Sequence, residues 1–358
     1  MEIKAKKYFL AANSMQGFVS HFDTFYKDDK QWRVYIIKGG PGTGKSSFMK
    51  FIAARCYDKG LKIELCPCSS DPHSLDGLII PQLKTALLDG TAPHVLEPKH
   101  PGVIEEIINL GEFWDSKLLR ENADKIIAAS KENSALHLAV KGYLSAAGEL
   151  YRDNLKLSRM FCETKALEKY ALNLAKKHIP KKVGKPHEDI RFIGGVTPQG
   201  VVAFTKTITD YCEKVIIVED KYGAAAGAIM SKIRDYALKC GHSIITLKSP
   251  FLPSELYEHI IIPELSLAFC TENEYIHFQS DVRRVHARRF YDILIQKQCR
   301  GRMLFNRKLV RDLLVLSCKT LAAAKASHDK LEKYYIDAMD FEGEMLLAQD
   351  ILDRILKQ

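Results

Sequence analysis

The chain has 358 residues, 46% of them apolar, and its 53 Lys and Arg against 44 Asp and Glu leave a net charge of +9. That length and apolar content suit two domains with their own cores. Three features set aside secreted, membrane-spanning and disulfide-stapled classes and lead to the expectation of a cytoplasmic protein with reduced thiols: no apolar run approaches the roughly 20 residues of a membrane span, Met1 to Ser20 lacks the apolar stretch of a secretory signal, and nine cysteines are scattered without metal or disulfide spacing.

In chain order, Phe9-Leu-Ala-Ala-Asn-Ser-Met-Gln-Gly17 comes first and is echoed by Phe192-Ile-Gly-Gly-Val-Thr-Pro-Gln-Gly200. A strand is expected at Val34 to Ile37, and the octapeptide Gly39-Gly40-Pro41-Gly42-Thr43-Gly44-Lys45-Ser46 follows it and opens an amphipathic helix carrying Phe48, Met49, Ile52 and Cys56 on one face. This is the G-x-x-x-x-G-K-[ST] pattern in its required strand–loop–helix setting. Glycines let the backbone curl so that successive N–H groups face phosphate oxygens, and the helix adds its positive end. Lys45 is the expected catalytic cation. Ser46 is the expected Mg2+ ligand, and Ser47 continues the binding segment.

Beyond Lys59-Gly60 lies a strand over Lys62 to Leu65, then Cys66-Pro67-Cys68, which without a second ligand pair reads as a strand end. A magnesium-orienting acid is expected at the end of a nearby strand. Asp89, after Thr85-Ala-Leu-Leu, is the preferred candidate both as catalytic residue and as metal ligand, and Asp76, before Leu78-Ile-Ile80, competes with it. His73, His94 and Glu97 could position water or an acceptor, although turn or surface roles are the plainer expectation for each. No glutamate follows Asp89, so the attacking-water activator is not legible.

From Val103 to His178 there is no proline, and apolar residues recur at helical intervals, as at Val140, Leu144, Ala147 and Tyr151, so an all-α tail is expected over about 103–178. Pro180 to about residue 188 reads as an exposed linker. Landmarks then repeat at an offset near 180: Val215 to Val218 for Val34 to Ile37; Ile229, Met230, Ile233 and Ala237 for the helix face; Ile260 to Pro263 for Leu78 to Pro81; and Phe290-Tyr-Asp292 for Phe113-Trp-Asp115. The expected organisation is therefore α/β and duplicated: a unit at 1–180 and a second at 189–358, each with a mostly parallel sheet flanked by helices and each followed by a helical tail, the second tail running from about Ser280 to the C-terminus. Leu347, Ile351 and Ile355 form the apolar stripe of its last helix, which should pack on a neighbour.

In the second copy the loop reads Asp220-Lys-Tyr-Gly-Ala-Ala-Ala226-Gly227, with Ala226 opposite Lys45, Gly227 opposite Ser46 and Thr271 opposite Asp89. Cation and metal ligands are missing, and Asp220 puts negative charge where phosphate would sit, so a degenerate pseudo-site is expected.

With loop and duplication together, the chain resembles a bacterial family of tandem P-loop NTPases that carry the general labels ATPase or nucleotide kinase. The likeness runs along nearly the whole chain, through Gly39 to Ser47, Ser70 to Gly77, Asp89 to His94 and Leu331 to Phe341. It implies two P-loop NTPase-like units, whereas this sequence departs from the family's second Gly-Lys-Ser/Thr loop at Ala226 and Gly227. The residues lead to an ATPase with ATP and Mg2+ as cofactors, its nucleotide state altering how the tails or second copy dock. A nucleotide or small-molecule kinase is an alternative, although no arginine-bearing lid is legible and Arg120 reads as helical. Another is a nucleotide-regulated nucleic-acid-binding module, suggested by net charge and by Arg283-Arg284-Val-His-Ala-Arg288-Arg289, a pattern that more often means a solvated helix surface. The tails are a candidate surface for a protein partner, and the absence of Asn-Lys-x-Asp argues against GTP.

Overall fold

The computed structural model describes residues 3–26, 29–279 and 282–357. Its first half contains strands β1 (Lys6–Lys7), β2 (Ala11–Ser14), β3 (Gly17–Ser20) and β4 (Arg33–Lys38), helix α1 (Lys45–Asp58), strands β5 (Glu64–Pro67), β6 (Leu75–Ile80), β7 (Thr85–Asp89) and β8 (Glu105–Asn109), and helices α2 (Ser116–Glu121), α3 (Ala123–Met160) and α4 (Thr164–His178). The second half has β9 (Glu188–Arg191), β10 (Gly194–Thr197), β11 (Gly200–Ala203), helix α5 (Lys206–Thr209), β12 (Lys214–Glu219), α6 (Ala224–Lys239), β13 (Ile244–Lys248), β14 (Tyr257–Ile262), β15 (Leu267–Glu272), β16 (Arg283–His286), α7 (Ile293–Ile336) and α8 (Phe341–Leu356).

Two six-stranded sheets result, ordered β1-β5-β6-β7-β4-β8 and β9-β13-β14-β15-β12-β16. In each, every neighbouring pair is parallel except those made by β6 or β14, which run against both neighbours. The central strands Val34–Ile37 and Val215–Val218 are buried, as continuous apolar runs in a sheet covered on both faces should be. β8 and β16 fall inside the segments expected to be purely helical. The first tail therefore begins at Ser116, not near 103, and Arg283 to Arg289 forms an edge strand and a 3-10 turn instead of a helix surface. Ser280, the expected start of the second tail, lies outside the described residues.

The halves meet about an approximate two-fold relation. Phe9 and Phe192 exchange N–H···O bonds of 2.9 Å in both directions. Farther out, Asp115 N–H donates to Ala338 O at 2.7 Å and Asp340 N–H to Phe113 O at 2.7 Å; reciprocally, Asp292 N–H donates to Phe161 O at 2.7 Å and Glu163 N–H to Phe290 O at 2.8 Å. Asp115 and Asp292 also cap α2 and α7 through side-chain bonds to the N–H groups two and three residues on.

Helices α3 and α7 pack along each other, burying Val140, Leu144, Val310 and Leu314 in one cluster. They carry each tail across to the opposite half, a packing that the division at 180 does not convey. Leu167, Ala171 and Leu174 of α4 share a core with Ile229, Met230 and Ile233 of α6, while Ala348, Ile351, Leu352 and Ile355 of α8 share one with Phe48, Met49 and Ile52 of α1. Among the described residues no helix is long and apolar enough to cross a membrane.

Ile351→Ala should cost about 2–4 kcal/mol of stability, and hydrogen exchange should show the lost protection in α1 and the first sheet as well as in α8. Loosening confined to α8 and the second half would contradict the exchanged packing.

Candidate functional site

Residues 39–44 join the C-terminal end of β4 to α1. Gly42 and Gly44 adopt φ of 69° and 79°, the left-handed region where a side chain is strained. The Thr43 hydroxyl donates to Gly40 O at 2.9 Å and holds the curl, and Pro41 lies half-buried between the glycines. Lys45, the first residue of α1, folds its ammonium across the loop to Gly39 O (3.0 Å) and Gly40 O (2.8 Å), with Asp89 Oδ2 at 3.8 Å. Ser46 Oγ accepts from Leu75 N–H at 2.9 Å, tying the helix start to β6, and Ser47 is exposed. Among the described residues no acceptor meets the N–H groups of Gly42, Thr43, Gly44, Lys45 or Ser46. Together with the start of the helix they present unpaired donors at the positive end of α1.

Asp89 ends β7 in register with Ile37 of β4. Thr91 N–H and Oγ1 bond its Oδ1 at 2.8 and 2.6 Å, leaving Oδ2 toward Lys45. Asp76 lies one step beyond the Gly77–Leu88 pair of β6 and β7, so both acids considered from the sequence stand at the same end of the sheet. Only Asp89 is paired with Lys45. Asp76 is buried and has His94 Nε2 at 3.4 Å from its Oδ2.

Burial opposes charging of His94, but the hydrogen bond and charge of Asp76 outweigh it and raise the imidazole above its ordinary 6.5. The His94 backbone N–H closes a turn on Thr91 O at 3.0 Å, as the turn expectation has it, but its ring is 7% exposed, stacks on Phe22 at 4.8 Å and sits 5.1 Å from Phe18, so the surface role is corrected to a buried one. Proximity to Asp76 arises from tertiary packing that spacing does not reveal. His73 and Glu97 do stay at the surface, His73 against Gln199 and Glu97 on Lys38.

The second half holds its loop differently. Gly223, opposite Gly42, has φ 83°, but α6 begins directly at Ala224 and no left-handed counterpart of Gly44 exists. The Asp220 carboxylate accepts Tyr222 N–H and Ala226 N–H, each at 2.9 Å, and the Tyr291 hydroxyl donates to it as well. Thr271 replaces the acid, its N–H bonded to His259 Nδ1.

A further element reaches the first loop from the end of the chain. The elbow between α7 and α8 lies against the glycines: the Tyr335 ring is 3.0 Å from a Cβ built on Gly40, Glu332 O is 2.6 Å from one on Gly42, and a Cβ on Gly44 would overlap both Glu344 carboxylate oxygens. Glu344 is 5% exposed, meets no hydrogen-bond or ionic partner among the described residues, and burial lifts its carboxyl to about 7. One sequence signal marked it: position 344 shares a helical face with Ala348, Ile351 and Ile355, so an acid stands on an otherwise apolar stripe.

Comparison with protein-family models, with curated proteins and with solved structures found no match.

Because the folded-state pKa of His94 is raised, its pairing with Asp76 contributes stability that is complete below the unfolded value of about 6.5 and is lost as pH rises through the folded value. Denaturant midpoints measured from about pH 6 to about pH 8 should therefore fall more steeply for the wild type than for Asp76→Asn. Parallel curves would show that the pair contributes nothing.

Proposed function

We propose that the first loop binds a nucleoside triphosphate with Mg2+, ATP in preference to GTP, and that the protein hydrolyses it. What carries this reading is the geometry of the first loop: among the described residues its N–H groups from Gly42 to Ser46 are unpaired beside the Lys45 ammonium, whereas in the second loop the Ala226 N–H, opposite Lys45, is taken by Asp220 and the Gly227 N–H, opposite Ser46, by Gly223 O. Phosphate oxygens would accept from the N–H groups of Gly42 to Ser46, and the Lys45 ammonium would turn from the Gly39 and Gly40 carbonyls to the phosphates. The Ser46 hydroxyl and Oδ2 of Asp89 form an all-oxygen donor set suited to Mg2+, which when bound would supply charge neutralisation at the transferring phosphate. Asp76 and His94 add a second carboxylate and its ionic partner at the same end of the sheet.

Lys45→Ala should abolish ATP binding and Mg-dependent phosphate release together, whereas Asp89→Asn should keep measurable binding and lose at least about a hundredfold in turnover. ATP binding that survives Lys45→Ala unchanged would remove the site. Binding without phosphate release, relieved by an added small-molecule acceptor, would mark a kinase instead.

A second reading, nucleotide-regulated binding of nucleic acid, is favoured by α7. Residues 283–319 hold eleven Lys and Arg against two acids, while the equivalent 106–142 of the first half holds five against six, so the fold does not impose the excess. Lys297, Arg300, Lys308, Arg311 and Lys319 are exposed and share one face of the helix, together with exposed Leu304 and Val315. Single-stranded RNA or DNA retained on this ridge should show a log-affinity slope against log salt of about −3.5 if all five cations engage. The slope should be roughly halved in Lys297→Glu/Lys308→Glu; no measurable retention at low salt would dismiss this reading.

A further inference from the structure

The loop glycines face two things at once: unpaired N–H donors, and a buried carboxylate that has travelled from the other half of the molecule. We infer that Glu344 is a resident anion that competes with nucleotide phosphate for the first loop, so that nucleotide binding in the first half is coupled to the seating of the second half's α7–α8 elbow. The inference rests on the triphosphate reading of the loop and adds to it a regulator built from the distant tail.

Three observations support it. Glu344 lies against Gly44, the residue that caps α1, where an anion is favoured by the end of the helix and the unpaired donors. It is buried yet bonded to nothing among the described residues, so no partner anchors it and its side chain can be displaced. In the second half a carboxylate again faces the loop, but Asp220 is locked there by Tyr222, Ala226 and Tyr291. The two halves thus pair a fixed internal anion with an unanchored one.

Displacement would have a path to travel. Tyr335 over Gly40 and Glu332 over Gly42 belong to the last turn of α7, whose 44 residues span about 66 Å at 1.5 Å per residue and begin beside Tyr291, a ligand of Asp220. Phosphates arriving at Gly44 therefore push on an element that ends at the second loop.

The test compares Mg-ATP affinity of the full chain with that of Glu344→Gln, which keeps size and removes the charge, and follows amide exchange over residues 332–346 with and without ATP. Expected are an affinity at least about tenfold tighter for Glu344→Gln, because one unit of like charge beside the phosphates is gone, and faster exchange of the elbow in the wild type when ATP is added. Tyr335→Ala, which loosens the elbow without touching the charge, should tighten binding in the same direction. Equal or weaker binding by Glu344→Gln, in a protein whose wild type binds ATP and whose Lys45→Ala variant does not, would overturn the competition while leaving the ATP site in place. Failure of the wild type and of Glu344→Gln alike to bind ATP would overturn the triphosphate reading and this inference with it.

Discussion

The face of α1 that carries Phe48, Met49 and Ile52 is covered by α8, a helix made about 300 residues later in the chain, and the matching face of α6 is covered by α4 of the first half. Each loop helix thus depends on the opposite half for its apolar cover. The four backbone bonds that join 113–115 to 338–340 and 290–292 to 161–163 hold both exchanges in register. Burial of this kind is non-directional, so direction has to come from hydrogen bonds; here they come from short segments just before α2 and α7 and from the turns before α4 and α8. An exchanged architecture puts the end of α7 and the start of α8 at the first loop as a matter of geometry, and everything unusual about that loop's surroundings follows.

Much of this was legible, and what was legible was local or repeated. Residues of the loop are contiguous, so their pattern announces strand, turn and helix together, and Asp89 closes a run of apolar residues as a strand-ending acid should. The repeat offset near 180 carried the duplication, and the two sheets share one strand order. The expected pairing of Ala226 with Lys45 also survives, because strand and helix landmarks keep one offset on both sides of the loop, although α6 reaches two residues farther toward its strand than α1 does.

What could not be read was pairing between distant segments. Glu105 to Asn109 is a five-residue edge strand with Glu105 and Ile108 turned inward, and within a long proline-free stretch that pattern passes for a helix. Asp76 and Asp89 looked like rivals for a single role because spacing cannot show that β6 and β7 run antiparallel and bring both acids to one end. His94 stood among the candidates for positioning water, but nothing signalled its burial: its partner Asp76 and the Phe18 and Phe22 rings around it come from two other stretches of chain. The exchange of tails is the same problem on a larger scale, since a stripe such as Leu347, Ile351 and Ile355 says that a helix is covered and not by what.

The two loops then show how one strand–loop–helix shape can be held in two ways. N–H groups left without an acceptor in a buried setting are costly, so a loop that brings its own anion is stabilised by it. Asp220 does this from the end of the preceding strand, in contact with two loop N–H groups and a tyrosine hydroxyl, and the helix can start earlier because Gly44 has no counterpart to keep open. The first loop has a second left-handed glycine, a lysine and a strand-ending acid, and at Gly44 it also meets the Glu344 carboxylate of the other half's tail. Burial lifts that carboxyl to about 7, so holding it charged at the loop costs free energy and no side-chain partner among the described residues anchors it. The first half is therefore the less settled of the two, and the part of the molecule that could settle it belongs to the second.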